Sequence, residues 1–206
     1  MAVNMELVQK TMENLEKRQF RPYFVEKKED VVPLLQTLVE KGEMVANGGS
    51  VTLGQCGVIE WLKNGDYEYV GPTPDMTEKE KKNATRQRFF ADSFFLSANA
   101  IISDGRIYNE DGASTRVSAM IYGPDKVFIV AGVNKIVESQ AEAVKRTKWV
   151  APQNCKRIGF STPCTEDGVC HNCFHPQRSC CTTAILNYSR VPFRINVILV
   201  GEELGV

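Results

Sequence analysis

Five of the seven cysteines fall between Cys164 and Cys181, and the chain's two histidines, His171 and His175, lie among them. Thiolate and imidazole are ligands that hold zinc or an iron–sulfur cluster, and Cys170-x-x-Cys173 lets one turn aim two sulfurs at one metal. Cys164, Cys170, Cys173 and Cys180 together supply the sulfurs that tetrahedral zinc or a cubane cluster needs. Their spacing is the signature of neither a zinc finger nor a ferredoxin, so a thiol-redox pair and inert thiols stay open as alternatives. Cys56 and Cys155 stand alone and read as small core residues.

A second chemistry is suggested by Asn47-Gly48-Gly49-Ser50-Val51-Thr52, which follows an expected strand and opens an expected helix. Glycines let backbone N–H groups approach an anion closely, and Ser50 or Thr52 can donate to a phosphate or carboxylate oxygen. The alternative is a tight turn with a serine cap. The segment matches neither the dinucleotide fingerprint nor the Walker A pattern, so no NAD or ATP motif is present. Further on, Asp104-Gly105 and Asp111-Gly112 mark two turns around Arg106-Ile107-Tyr108. A carboxylate there could act as a general base with Arg116 orienting an anionic substrate, or the acids could simply be solvated. Asn134 and Lys135 follow the apolar run Ile129-Val130-Ala131, where open α/β sheets collect ligands; a helix cap and a solvated lysine are the alternative.

These residues need a scaffold, and the apolar pattern supplies one. Val8, Met12 and Leu15 recur at helical spacing and predict a helix over Asn4 to Arg18. A strand at Phe20 to Val25, a helix from Val31 to Val39 and a strand at Glu43 to Ala46 follow. Val51 to Leu62 reads as helix interrupted by glycines, and Tyr67 to Val70 as strand. Thr77-x-x-Glu80 is a capping box that opens a helix expected to reach Phe95. Ala100 to Ile102, Val127 to Val130 and Ile195 to Val200 read as strands buried on both faces. The alternation predicts an α/β fold with a mostly parallel sheet flanked by helices. Residues 1–206 are expected to form one domain, with a cysteine-rich segment over 152–188 that is too short to hold a core without the main body or a metal.

With 25 basic and 25 acidic residues, no net charge draws the chain to nucleic acid or to an acidic membrane. Glu6, Lys10, Glu13, Glu16 and Lys17 interrupt any signal-peptide core, and no apolar run approaches the ~20 residues of a membrane span. A cytoplasmic protein with reduced thiols is expected.

The wording Ala91-Asp92-x-Phe94-x-Leu96-Ser97-Ala98-Asn99-Ala100-Ile101, Asn109-x-Asp111-Gly112, Arg116-Val117-x-Ala119-Met120-x-Tyr122-Gly123-Pro124 and Gly132-x-Asn134-Lys135-Ile136-Val137 resembles the LUD (lactate-utilisation) domain family. Pro163-Cys164, Cys170-x-x-Cys173, Arg178 and Cys180 resemble that family's cysteine-rich tail, although Asn172 stands where an acidic residue is usual and Cys181 is an additional thiol. The resemblance implies a NagB/RpiA/CoA-transferase-like fold, with a glycine-rich loop beside the ligand cleft. It also implies a part in oxidising lactate to pyruvate beside iron–sulfur redox partner proteins. On that basis Gly48, Gly49, Ser50, Thr52, Asn99, Arg116 and Asn134 would bind a small anionic ligand. Asp111 would be the base, Lys135 the electrostatic stabiliser, and Cys164, Cys170, Cys173 and Cys180 the ligands of iron–sulfur or zinc. Two rival expectations are a ligand- or metal-binding module without turnover, and a relative of sugar-phosphate isomerases or CoA transferases. A homo-oligomer fits any of these.

Overall fold

The computed structural model describes residues 3–206. Helix α1 (Met5–Lys17) opens with the Asn4 side chain accepting from the Leu7 amide and buries Val8, Thr11 and Leu15. It leads into β1 (Arg21–Val25), α2 (Val31–Gln36) and β2 (Met44–Asn47). The expected 51–62 helix is split by Gly57, whose φ of 71° ends α3 (Val51–Gln55) and starts α4 (Val58–Asn64). Then come β3 (Glu68–Tyr69) and α5 (Glu78–Gln87), which carries the Thr77/Glu80 capping box. The order continues through β4 (Ser93–Leu96), β5 (Ala100–Ile102), β6 (Ile107–Asp111), α6 (Thr115–Ile121), β7 (Lys126–Gly132) and β8 (Ile136–Val137). The chain closes with α7 (Gln140–Arg157), α8 (Cys164–Asp167), β9 (Thr182–Leu186) and β10 (Ile195–Val200).

Six strands in the order β1-β10-β7-β4-β2-β3, all parallel, form the main sheet. Its middle strands are apolar on both sides because both sides are covered. Along β10, Ile195, Val197 and Leu199 join one core cluster while Ile198 and Val200 join the other, and Val127/Ile129 against Phe128/Val130 divide in the same way on β7. This is the period of two that places successive side chains on opposite faces. A second sheet, β8-β5-β6-β9, is mostly antiparallel, joined by β5–β6 and β6–β9 pairing. The mostly parallel, helix-flanked α/β architecture is the one the alternating pattern implies.

Two segments depart from expectation. The helix begun at Thr77 stops at Gln87 rather than Phe95, and Ser93–Leu96 is instead a central strand between β2 and β7. Helix α5 buries none of its residues, whereas all four residues of β4 are buried, so the apolar run is pulled into the sheet by what packs on it. Asp92 fixes the entry by accepting the Met44 amide at 2.7 Å. The second departure is α7, which continues through buried Pro152 to Arg157, so the segment expected as irregular from 152 begins inside a helix.

Candidate anion-binding cleft

Parallel strands all end on the same edge of a sheet, and side chains in the loops leaving that edge converge. Here β2, β4 and β7, adjacent in the sheet, deliver Gly48 to Thr52, Ser97 to Asn99, and Asn134-Lys135. They border a cleft of about 570 Å³, closed on its far side by β6, α7 and the segment around Arg178. Five basic side chains line it (Arg88, Arg116, Lys135, Arg157 and Arg178) against two acidic ones, Glu110 and Asp111. The excess of positive charge in a concave site selects anions. Of the sequence candidates for ligand and catalysis, Gly48, Gly49, Ser50, Thr52, Asn99, Asp111, Arg116 and Lys135 line this cleft together.

Lys135 is the centre of the site. It is 5% exposed, and its Nζ donates to Thr52 Oγ1 at 2.8 Å and Ser97 Oγ at 3.0 Å. Burial, with the nearby Arg146 and Arg116 charges adding to it, pulls its pKa from the ordinary lysine value down to about 7. Among the described residues no carboxylate lies within ion-pairing distance of Lys135. Lys126 shows the ordinary alternative, a partly buried lysine paired with Glu43. Gly205 packs over Lys135, and a Cβ there would stand 2.8 Å from Nζ.

Arg116 builds the wall beside it. Its Nη1 donates to the Ser97 carbonyl at 2.8 Å and Asn109 Oδ1 at 2.7 Å; its Nη2 donates to Asn99 Oδ1 at 3.1 Å and the Glu110 carbonyl at 2.6 Å. Each terminal N–H of the guanidinium is thus taken by a protein oxygen. Arg116 therefore ties β4, β5 and β6 together and adds its charge to the cleft through space. Gly48 is where the arginine stem crosses, since a Cβ would lie 2.7 Å from Arg116 Cγ. Asp111 has a structural task as well: its Oδ2 accepts the Arg116 and Val117 amides at 2.9 and 3.1 Å, capping α6. Ser50 caps α3 by accepting the Leu53 amide at 3.2 Å.

Asn134 stands apart from its neighbour. It turns away from the cleft and clamps the Leu204 backbone, accepting its amide at 3.1 Å. Arg146 holds the same end of the chain and the cleft wall, donating to the Asn99 carbonyl at 2.8 Å and the Val206 carbonyl at 2.9 Å. Sequence reading missed Ser97, Arg88, Arg146 and Asn109 as site residues. Ser97 follows an apolar run in the way Lys135 does and could have been found; Arg146 sits in mid-helix with no local signal. Arg88 has a buried Nε without a partner, and burial lowers its pKa. It is a cleft-lining cation that makes no ion pair among the described residues.

The cysteine-rich segment borders the cleft through Asn154, Arg157, Ile158 and Phe160 and again from Pro176 to Ser179, and of its cysteines Cys181 lines the cleft. Arg178 donates from Nη1 to the Cys173 carbonyl at 2.6 Å and from Nη2 to Cys180 Sγ at 3.3 Å, and Cys164 pairs with the Thr162 hydroxyl at 3.2 Å. Cys164, Cys170, Cys173 and Cys180 are all free thiols. Among the described residues no three His, Cys, Asp or Glu side chains converge as a metal site. Iron–sulfur or zinc therefore rests on spacing and resemblance, and no chemical step is derived through it. Nor is any helix among these residues long and apolar enough to cross a membrane.

A crystal structure of a DUF162 family protein from Deinococcus radiodurans superposes with a TM-score of 0.56 at 18% identity, covering 95% of this chain and 97% of that one. It shares the fold. The structure of eIF2B beta from Chaetomium thermophilum aligns with a TM-score of 0.40 at 15% identity, over 58% of this chain and 42% of that one. No curated protein matches the chain. The LUD domain model matches residues 8–200, which takes in both sheets and every residue of the cleft except Gly205 and Val206. The chain belongs to the LUD domain family and is, at that level, a lactate-utilisation-related protein.

Proposed function

We propose that the protein binds a small organic-acid anion, a 2-hydroxy or 2-oxo acid, in the cleft at Lys135. The observation that carries this reading is a buried lysine with hydroxyl partners and, among the described residues, no carboxylate, in a cleft that five basic and two acidic of those residues line. An ammonium buried without an acid is costly, and a ligand carboxylate supplies the missing charge. In this reading Lys135 holds the carboxylate, and Thr52 and Ser97 fix the amine. Arg116 and Arg146 raise the local potential, while Asp111 positions α6. Oxidation of a 2-hydroxy acid to a 2-oxo acid releases two electrons and two protons. The iron–sulfur partner proteins implied by the family resemblance are the proposed class of electron acceptor.

The size of the cleft favours a second reading. About 570 Å³ is in the range of pockets that hold drug-sized ligands, well above what a three-carbon acid fills. A longer anion, such as a sugar phosphate or a CoA ester, would use Arg88 for a second charged group. Thermal shift with oxalate, L-lactate, inorganic phosphate and CoA distinguishes the two. Ligand binding raises the melting temperature by mass action, so oxalate and lactate are expected to stabilise the protein more than phosphate or CoA at equal concentration. Stabilisation by phosphate or CoA alone would replace the first reading with the second.

A further inference from the structure

Lys135 is suited to more than holding a charge. A neutral amine has two N–H donors and one lone pair, where an ammonium has three donors. The two hydroxyl oxygens at 2.8 and 3.0 Å, Thr52 Oγ1 and Ser97 Oγ, match the two N–H groups of the neutral form. With no carboxylate to fix a third proton, the lone pair is free to act in the cleft that Lys135 lines. Desolvated lysines beside another cation are the ones that act as nucleophiles towards carbonyl groups. Arg116 and Arg146 supply that neighbouring charge here.

We infer that Lys135 is a carbonyl-capturing amine, which condenses with the keto group of a 2-oxo acid held in the cleft. The Nζ lone pair attacks the keto carbon and forms the C–N bond while the C=O π electrons move to oxygen. Proton transfer from nitrogen to that oxygen gives the neutral carbinolamine. Loss of the oxygen as water, with a second proton from nitrogen, leaves a Lys135 imine. No electron is gained or lost, and the only co-product is water. The hydroxyls of Thr52 and Ser97 lie where they can relay these protons. This inference rests on the proposal that the cleft accepts organic-acid anions, and it narrows the ligand to one with a carbonyl carbon beside the carboxylate.

The test is reductive trapping on the full chain at neutral pH, with pyruvate and a hydride donor that reduces imines, followed by peptide mass mapping. The expected result is one reduced adduct on Lys135, formed at least about tenfold faster than on any surface lysine. Exposed lysines with pKa near 10.4 are less than about one part in a thousand amine at pH 7. L-Lactate, which has no keto group, should leave no adduct, oxalate should block it, and a folded Lys135→Met variant should lose it. No adduct on Lys135, or modification spread evenly over the lysines, while oxalate still stabilises the protein, would overturn the inference and leave the anion-binding reading standing. Absence of both would overturn both.

Discussion

A Lys135→Met variant is expected to be more stable than the parent protein and unable to bind a carboxylate. At neutral pH the unfolded chain carries a charged lysine, whereas the fold brings the pKa of this one to about 7 by burying it near Arg146 and Arg116. The folded value is below the unfolded one, so the cost of burying Lys135 is fully present at pH below about 7. It diminishes as pH rises from there towards the ordinary lysine value, because the native state then releases its proton and the unfolded state does not. Discounted for relaxation of the site, the cost at pH 7 is on the order of 3 kcal/mol. Methionine follows the same unbranched path without the charge. The hydroxyls left behind, Ser97 and Thr52, stand 3.5 Å apart and can turn towards each other. The melting temperature should rise by roughly 6–12 °C for a chain of this size, with the gain shrinking as the pH approaches 10. A stabilising change that abolishes oxalate binding is the pattern of a residue kept for function at the expense of stability. A variant that is less stable than the parent at pH 7 would mean that Lys135 is a structural residue.

Replacing Arg116 with leucine should have the opposite effect on folding. The Ser97 and Glu110 carbonyls and the Asn99 and Asn109 amide oxygens all lose the donor they share. Asn109 Oδ1 keeps the Asn99 amide and Asn99 Oδ1 the Glu110 amide, but four bonds to a charged donor are lost at once, and hydrogen bonds to charged groups are the costly ones to remove in a buried site. A loss of about 3–5 kcal/mol is expected, a large part of the stability of any domain. Urea unfolding would show it as a lower midpoint with an unchanged slope. Arg116→Lys should recover only part of this, because an ammonium has three donors for the four acceptors and cannot match the planar fork. A leucine variant as stable as the parent would show that the arginine is held for the ligand alone.

Much of this architecture is legible in the chain because the main-sheet strands are short apolar runs bounded by turns. Val127 to Val130 and Ile195 to Val200 could hardly be placed anywhere but in a sheet covered on both faces. The turn after β2 and the Asn134-Lys135 pair were identified because they follow such runs. Ser93–Leu96 was not, since the capping box at Thr77 and the helix-forming residues behind it extend a local preference past the point where packing takes over. Of the second sheet, Ala100 to Ile102 reads as a strand and the turns around Arg106-Ile107-Tyr108 hint at β6, but β9 gives no sign of itself: β6 pairs with it across some seventy residues, and nothing local in Thr182–Leu186 announces its partner. Roles within the site were harder to read than positions. Asp111 and Arg116 are polar residues near turns, and only the hydrogen bonds show that one caps α6 and the other joins three strands. Asn134 and Lys135 are adjacent in sequence, yet one faces Leu204 and the other the cleft. The proximity of Arg146 to Lys135, which adds to the effect of burial on the amine, depends on how α7 packs.

The central claim, an anion held by the Lys135 ammonium, is tested most directly by calorimetric titration of oxalate from pH 6 to 9. The groups that face Lys135 are Arg146, Arg116 and Cys56, whose thiol burial pushes up to about 11, so none of them changes charge in this range. Oxalate stays fully ionised throughout. With the cleft-lining free thiol Cys181 replaced by serine, the Lys135 proton is the one at stake, and affinity should be level below about pH 7 and then fall by about tenfold per pH unit as the free amine loses it. Affinity that stays constant to pH 9, or that rises, would contradict the account.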